Sequence, residues 1–477
     1  MKKVILMLII LAMIWTTVSC NSNKSSVDSD NSIDETTLSE ETTAEIPSNA
    51  PNFPERDYEG YEFNVLAENE YNAKYLIDVE EDGDKLNDAA YTRNLKVAER
   101  FNIDFTCTET PESQIYNDLK KTVLSGDSTY SLVIPNPLWT TASMMADHLL
   151  YNINDLTYVD LSKPWWNSSI VENFKIGDKL FFATGDYSIT YQGFVVLLYN
   201  KLYIENYNLE NPYETVFNDK WTVDKFTEML KLVSADIDGD GKFTKEDQYG
   251  YTAIAGCGYI FMFACDQNIT EPDTDGIPRL ALNTERMVTI VEKYYDIMRN
   301  GNYTYVGGER EILDIFKANR AMFTAIDIGC YYGRTRDIEL DFGLLPYPKL
   351  DEAQEKYLVG FGGGVFAVPR LCDDPERTGI ILEALNYESY VHLRPEFFDT
   401  VLHNKCLRDE ESVKILTLLH ENKKCDFGFN FDTTGLGFQV LSTLVEGKKS
   451  YDFASYYQTI ESKLNNGFEK LISKIME

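Results

Sequence analysis

Histidine is scarce in this chain, with four residues at 148, 392, 403 and 420. None is four positions from another and there is no H-E-x-x-H, so the helical pattern of a zinc enzyme is not supported. Cysteine is sparse too, and its 8 residues include no C-x-x-C pair. Setting Cys20 aside, the remaining positions 107, 257, 265, 330, 372, 406 and 425 are odd in number and scattered, which is not a disulfide framework. If 258–267 is helical, Cys257 and Cys265 stand roughly 12 Å apart, too far for a bridge. Basic residues are in deficit, with 44 Lys plus Arg against 77 Asp plus Glu and a formal net charge of −33. No basic block exists to displace counterions from phosphates, which argues against nucleic acid as a partner. Motifs of nucleophilic and phosphate chemistry, G-x-S-x-G and the P-loop, are missing, and no 20–50-residue repeat is visible.

Long apolar runs are confined to the start. Lys2 and Lys3 precede an apolar stretch at 4–15, short of the ~20 residues of a membrane span and shaped like an export signal. It ends in Thr17-Val18-Ser19-Cys20, which resembles the bacterial lipobox, with Thr17 where that motif usually carries Leu, Val or Ile. The resemblance implies a signal peptide over 1–19, acylation of Cys20, and residence on the extracellular face of the cytoplasmic membrane. Residues 20–53 are dominated by Asn, Ser, Asp, Glu and Thr. Such a segment cannot bury enough apolar surface to offset its ordering entropy, and it reads as a disordered tether. The folded part is expected to begin near Pro54.

From there strand and helix patterns alternate. Strands are predicted over 61–67, 103–108, 130–135, 193–199, 322–326 and 365–368. Helices are predicted over 90–101, 116–124, 139–150, 223–235, 286–298 and 311–319, the first with Tyr91, Leu95 and Ala98 on its apolar face. Tyr457, Ile460, Leu464, Phe468, Leu471 and Ile475 recur at helical spacing, so the chain closes on a helix packed on the second lobe. The expected fold class is α/β, with parallel sheet covered by helices on both faces.

One contiguous motif carries chemistry. Residues 236–247, D-I-D-G-D-G-K-F-T-K-E-D, match the twelve-residue calcium loop. Carboxylates stand at positions 1, 3, 5 and 12 (Asp236, Asp238, Asp240, Asp247), Gly241 permits the sharp turn, the Lys242 carbonyl supplies a ligand, and Thr244 sits at position 9. Asp247 replaces the usual Glu, and no long helix follows, so a structural Ca2+ site is expected rather than a calcium switch. Stretches 271–282 and 78–89 are weaker look-alikes, read as plain turns.

Several short motifs then appear in a shared order. They are Y-S-L-V-I-P-N-P at 130–137 followed by Trp139, L-Y-N-I-N-D-L at 150–156, G-D-K-L-F-F-A at 177–183 before L-Y-N-K at 198–201, and W-T-V-D-K-F at 221–226. F-K-A-N-R-A-M at 316–322, F-G-L-L-P-Y-P at 342–348 and G-G-G-V-F-A-V at 362–368 complete the set. In this order they resemble the family 1 extracellular solute-binding proteins of ABC importers, the group of maltose-binding protein, over about 55–477. Asn319 stands where that family commonly has Gly.

The resemblance implies a two-lobed, periplasmic-binding-protein-like fold of type II whose lobes, 54–188 with 358–400 and 189–357 with 401–477, are joined by crossing strands. It implies a monomer that closes on a small-molecule ligand, with an ABC permease as partner and no catalysis. The 31 Tyr, 26 Phe and 5 Trp are compatible with a sugar. Trp139 and Asn136 follow the third strand's carboxyl end, where parallel sheets present ligands. Asp186 and Tyr187 near the first crossing, Tyr331 and Tyr332 after the strand at 322–326, and Gly363 complete the candidate contacts, each weighed against plain packing. Trp165 and Trp166 read as packing residues ahead of a cleft wall. A secreted calcium-containing glycoside hydrolase, a sensor, and a binder of a non-sugar ligand remain open alternatives.

Overall fold

In the computed structural model the described residues are 50–68, 80–138, 140–188, 195–328, 335, 338–360, 363–403, 407 and 409–477. Among them the strands in chain order are β1 (Tyr61–Glu68), β2 (Ile103–Thr110), β3 (Leu132–Ile134), β4 (Val195–Asn200), β5 (Tyr249–Ile254), β6 (Thr270–Pro272), β7 (Pro278–Leu280), β8 (Thr304–Gly307), β9 (Ala321–Asp327), β10 (Phe342–Leu345), β11 (Val359–Gly360) and β12 (Lys423–Lys424). Residues 46–477 form one unit built on two sheets. The first has the order β2-β1-β3, all parallel. The second has the order β10-β4-β9-β5-β8, in which β4 alone runs against its neighbours. The fold is therefore α/β and two-lobed, with a mixed rather than wholly parallel second sheet.

Residues 365–368, read from sequence as a strand, form isolated antiparallel bridges instead. Val133 pairs with Ala367 and Ala183 with Phe366, so a late segment of the chain completes the first sheet. The helix read at 90–101 begins earlier, at Lys85, because the Asp84 side chain accepts the Leu86 and Asn87 amides. Its buried face also differs from the reading: Ala90, Arg93, Asn94, Val97 and Phe101 are inside, while Leu95 is 43% exposed. The polar pair is tolerated there because Arg93 Nε donates to Asn94 Oδ1 at 2.9 Å and its guanidinium lies over the Tyr187 ring. The helix read at 139–150 is the shorter Thr141–Ala146.

Helix Val223–Val233 is capped by Thr222 and buries Phe226 against Tyr251 and Phe323, at ring separations of 5.4 and 5.1 Å. Asn319 is in the left-handed region at φ 57°, a conformation that Asn tolerates better than most residues. That explains why Asn serves at a turn where glycine is expected. Its side chain accepts the Asn200 amide at 2.7 Å, tying the turn before β9 to the end of β4.

The closing helix Phe453–Met476 buries all six residues of its apolar stripe. Its neighbours are drawn from both lobes. It packs on helix Glu285–Arg299 and on helix Thr141–Ala146, and the Ile475 carbonyl accepts Lys179 Nζ at 3.0 Å. Just before it, Phe431 packs on Phe174 and Phe182 of the first lobe, at 5.4 and 5.8 Å. No described helix is long and apolar enough to cross a membrane.

Candidate functional site

Strand direction places the site. β1 and β3 end at Glu68 and Ile134, and the antiparallel segment through Ala367 and Phe366 begins at that same end with Gly363 and Gly364. Ala183 pairs with Phe366, so Asp186 emerges there too, and Thr184 Oγ1 donates to the Gly364 carbonyl at 2.9 Å. In the second sheet β5, β8 and β9 all finish at the edge where β4 starts, because Val195 pairs with Asp327. The connection from Ser188 to Val195 therefore joins the carboxyl edges of the two sheets, which is where open α/β sheets take ligands.

Asn136 lies at this edge, partly buried, with its Oδ1 accepting the Leu138 amide at 3.0 Å. Gly363 is buried. Trp139, Tyr331 and Tyr332 lie outside the described residues, as does Cys20.

Asp186 is 4% exposed, and its Oδ2 stands 3.6 Å from Arg394 Nη1. Burial pushes its carboxyl above the usual carboxylate range, while the positive charges of Arg394 and Lys423 pull it back. Burial likewise lowers the Lys423 ammonium, with Asp186 opposing that shift and Arg394 adding to it. Lys423 Nζ is 3.2 Å from His420 Nδ1, and burial pushes that imidazole down to about 2, so it stays neutral. The group draws Asp186 from the first crossing, Arg394 from the start of helix Arg394–His403 and Lys423 from β12, which pairs with β11. Sequence spacing gave no hint of it, because its members are joined only by the topology.

Tyr187 is wholly buried, with Phe366 at 5.9 Å and Arg93 stacked at 5.0 Å, and burial drives its phenol upward. It faces the core of the first lobe. Trp165 and Trp166 are buried as well. Their indoles donate to Oε1 and Oε2 of Glu383, each at 2.8 Å, which is the packing reading of the pair.

On the second lobe the carboxyl end of β5 turns through Ala255 to Cys257 into helix Gly258–Ala264. Tyr259 opens that helix, half-buried, with Phe429 at 4.9 Å and Phe438 at 6.3 Å. Burial, and next to it Cys257 and Asp327, raise its phenol far above the ordinary value. Tyr259 was missed from sequence because the Y-G-Y-T-A-I segment ahead of it was not read as a strand.

The acidic loop lies at the other end of β5. Carboxylate oxygens of Asp236, Asp238 and Asp240 all fall within 4.8 Å of one another. Asp236 accepts the Gly239 and Gly241 amides at 2.7 and 2.8 Å, and Gly241 has φ 80°, as the sixth position requires. Asp247 is buried and accepts the Ile237 and Thr244 amides at 3.0 and 2.8 Å. Ala235 and Gln248 bridge to close the loop. Three converging carboxylates repel one another, and a hard cation among them would offset that repulsion; Asp247 is not one of the three, because both its oxygens accept backbone amides.

These sheets define a two-lobed fold of the periplasmic-binding-protein kind. Solved structures of the same fold include UgpB from Mycobacterium tuberculosis in complex with glycerophosphocholine, at 14% identity and TM-score 0.54, covering 80% of this chain and 95% of that one. An ABC substrate-binding protein from Listeria monocytogenes in complex with cycloalternan matches at 11% identity and TM-score 0.51, over 87% of this chain and 98% of the other. The cyclic α-maltosyl-1,6-maltose binding protein from Arthrobacter globiformis matches at 13% identity and TM-score 0.54, over 87% and 99%. These are binding proteins. No family model matches the chain, and no curated protein matches it in sequence.

Proposed function

We propose that this chain is the extracellular, lipid-anchored substrate-binding component of an ABC importer, capturing a carbohydrate between its lobes and releasing it unchanged. The observation that supports the reading is the strand direction: the chain leaves the first sheet's carboxyl edge near Ser188 and enters the second sheet at Val195, beside the carboxyl end of β9, in a fold shared with binding proteins over most of its length. Asn136, Gly363 and Asp186 stand on the first lobe's side of that meeting, with Tyr259 on the second. Closure about the crossings would bring ring face and polar groups onto one ligand.

The test is a thermal-shift screen of the chain lacking residues 1–19 against malto-oligosaccharides, glycerophosphodiesters, peptides and polyamines, run beside an assay for reducing-sugar release. Stabilisation by an intact oligosaccharide without release supports the reading. Steady release of sugar would replace it with the hydrolase, and stabilisation by glycerophosphodiesters alone would move the ligand class. No palmitate labelling of the full chain would remove the lipid anchor, and labelling that survives C20S would move it away from Cys20.

A structural Ca2+ held by Asp236, Asp238, Asp240, the Lys242 carbonyl, Thr244 and Asp247 belongs to the same proposal. The loop joins β5 at its amino end, and a six-residue strand separates the two ends by about 20 Å, so the ion would brace the lobe without touching the ligand. Calcium at a hundredfold excess over its dissociation constant is expected to add about 2.7 kcal/mol to stability. Melting after EDTA and after calcium return measures this, and a D236A/D240A variant should lose the response. An identical Tm with and without millimolar calcium would defeat the site.

A further inference from the structure

The turn that delivers Tyr259 has little to hold it from within. Ala255–Gly258 contains two glycines, and Gly256 is in the left-handed region at φ 79°. Its support comes from near the end of the chain, where the helix through Val440 and Leu441 widens into a π-turn over Ser442–Gly447. Such turns re-aim side chains and recur at functional positions.

Here the π-turn sends two acceptors onto the β5 turn. Glu446 Oε2 accepts the Gly256 amide at 3.0 Å, and Ser442 Oγ accepts the Gly258 amide at 3.3 Å. The other Glu446 oxygen accepts the Tyr294 hydroxyl at 2.9 Å, so the carboxylate is held from two sides. Arg299 donates to the Val445 carbonyl at 3.1 Å and also to the Glu446 carbonyl, which fixes the π-turn on helix Glu285–Arg299. The approach is close: a Cβ on Gly258 would fall 2.7 Å from Leu441 Cβ. Glycine at that position is a condition of the contact.

We propose that Glu446, assisted by Ser442, is a positioning residue that pins the β5 turn and thereby sets where Tyr259 stands in the cleft. The role given to Tyr259 rests on the reading under Proposed function; the pinning itself does not. A glutamine at 446 keeps one acceptor for Gly256 and offers its amide to the Tyr294 oxygen, whereas alanine keeps neither.

Hydrogen exchange on the ligand-free protein tests the pinning. E446A should raise exchange at residues 256–258 by about tenfold, the worth of one lost hydrogen bond, with E446Q close to wild type and the rest of the second sheet unmoved. Unchanged exchange in E446A, or equal exchange in E446A and E446Q, overturns the proposal. Maltotetraose affinity gives the second arm. E446A should weaken it about tenfold in the wild-type background and have little further effect in Y259A, because the two act through one contact. Full additivity overturns the link to Tyr259. If the wild type binds no maltotetraose, the sugar reading fails for that probe and the exchange result alone decides the pinning.

Discussion

Replacing Glu383 by alanine is expected to destabilise the protein by on the order of 3–5 kcal/mol, the cost of stripping a buried acceptor from several donors. Glu383 is 1% exposed. It accepts Trp165 Nε1 and Trp166 Nε1 at 2.8 Å and the Asp160 amide at 3.1 Å. Two buried indole N–H groups and the part-buried Asp160 amide would lose their partner at once, and the indoles cannot turn to water without unpacking the lobe.

The same residue makes a pH prediction. Burial pushes its carboxyl up to about 7 from an ordinary 4.5, against the pull of the three donors. The folded state therefore binds the proton more tightly than the unfolded chain. The associated stability is complete below about pH 4.5 and is lost as pH climbs through 7. Urea unfolding followed by tryptophan fluorescence at pH 5.5 and pH 8 should show this decline, and E383Q should flatten it. An E383A melt within a degree of wild type would mean the acceptor is dispensable. A slope that persists in E383Q would assign the titration elsewhere.

The second large effect concerns the ligand. Y259A should weaken binding of a captured oligosaccharide by about 30-fold, the ~2 kcal/mol of an aromatic hot spot, while Y259F changes it little. Calorimetry with the best sugar from the screen measures both. Because the ring is half-buried at the edge of its lobe, Tm should move far less than in E383A. Unaltered affinity in Y259A would take the ring off the ligand and shift attention to Asn136 and Asp186.

What was legible in the sequence follows from how local each signal is. The opening strand and the final helix were readable because their apolar residues repeat at the period of the element itself. The convergence of Asp236, Asp238 and Asp240 was readable because the three lie within five consecutive residues. The first helix showed its length only in part, and its buried face was misread: Arg93 is inside because Tyr187 and Ser389, from distant segments, receive it. Likewise β5 was passed over because its core-facing tyrosines and Gly250 look like a turn until β8 and β9 flank it. The sheets' carboxyl edges are the extreme case. Their residues are scattered between Asn136 and Gly363, and only the pairing of Val133 with Ala367 in the first sheet and of Val195 with Asp327 in the second shows which strand ends share an edge.

That first pairing also bears on how the chain can be cut. The partner for β3 arrives late, after the whole second sheet has been synthesised. A fragment ending near residue 350 would present β3 as a bare edge, ready to add strands from its neighbours. Such a piece should precipitate rather than behave as an isolated lobe. Soluble half-proteins would instead have to be stitched, with 54–188 joined directly to 363–403 through a short linker that replaces everything between.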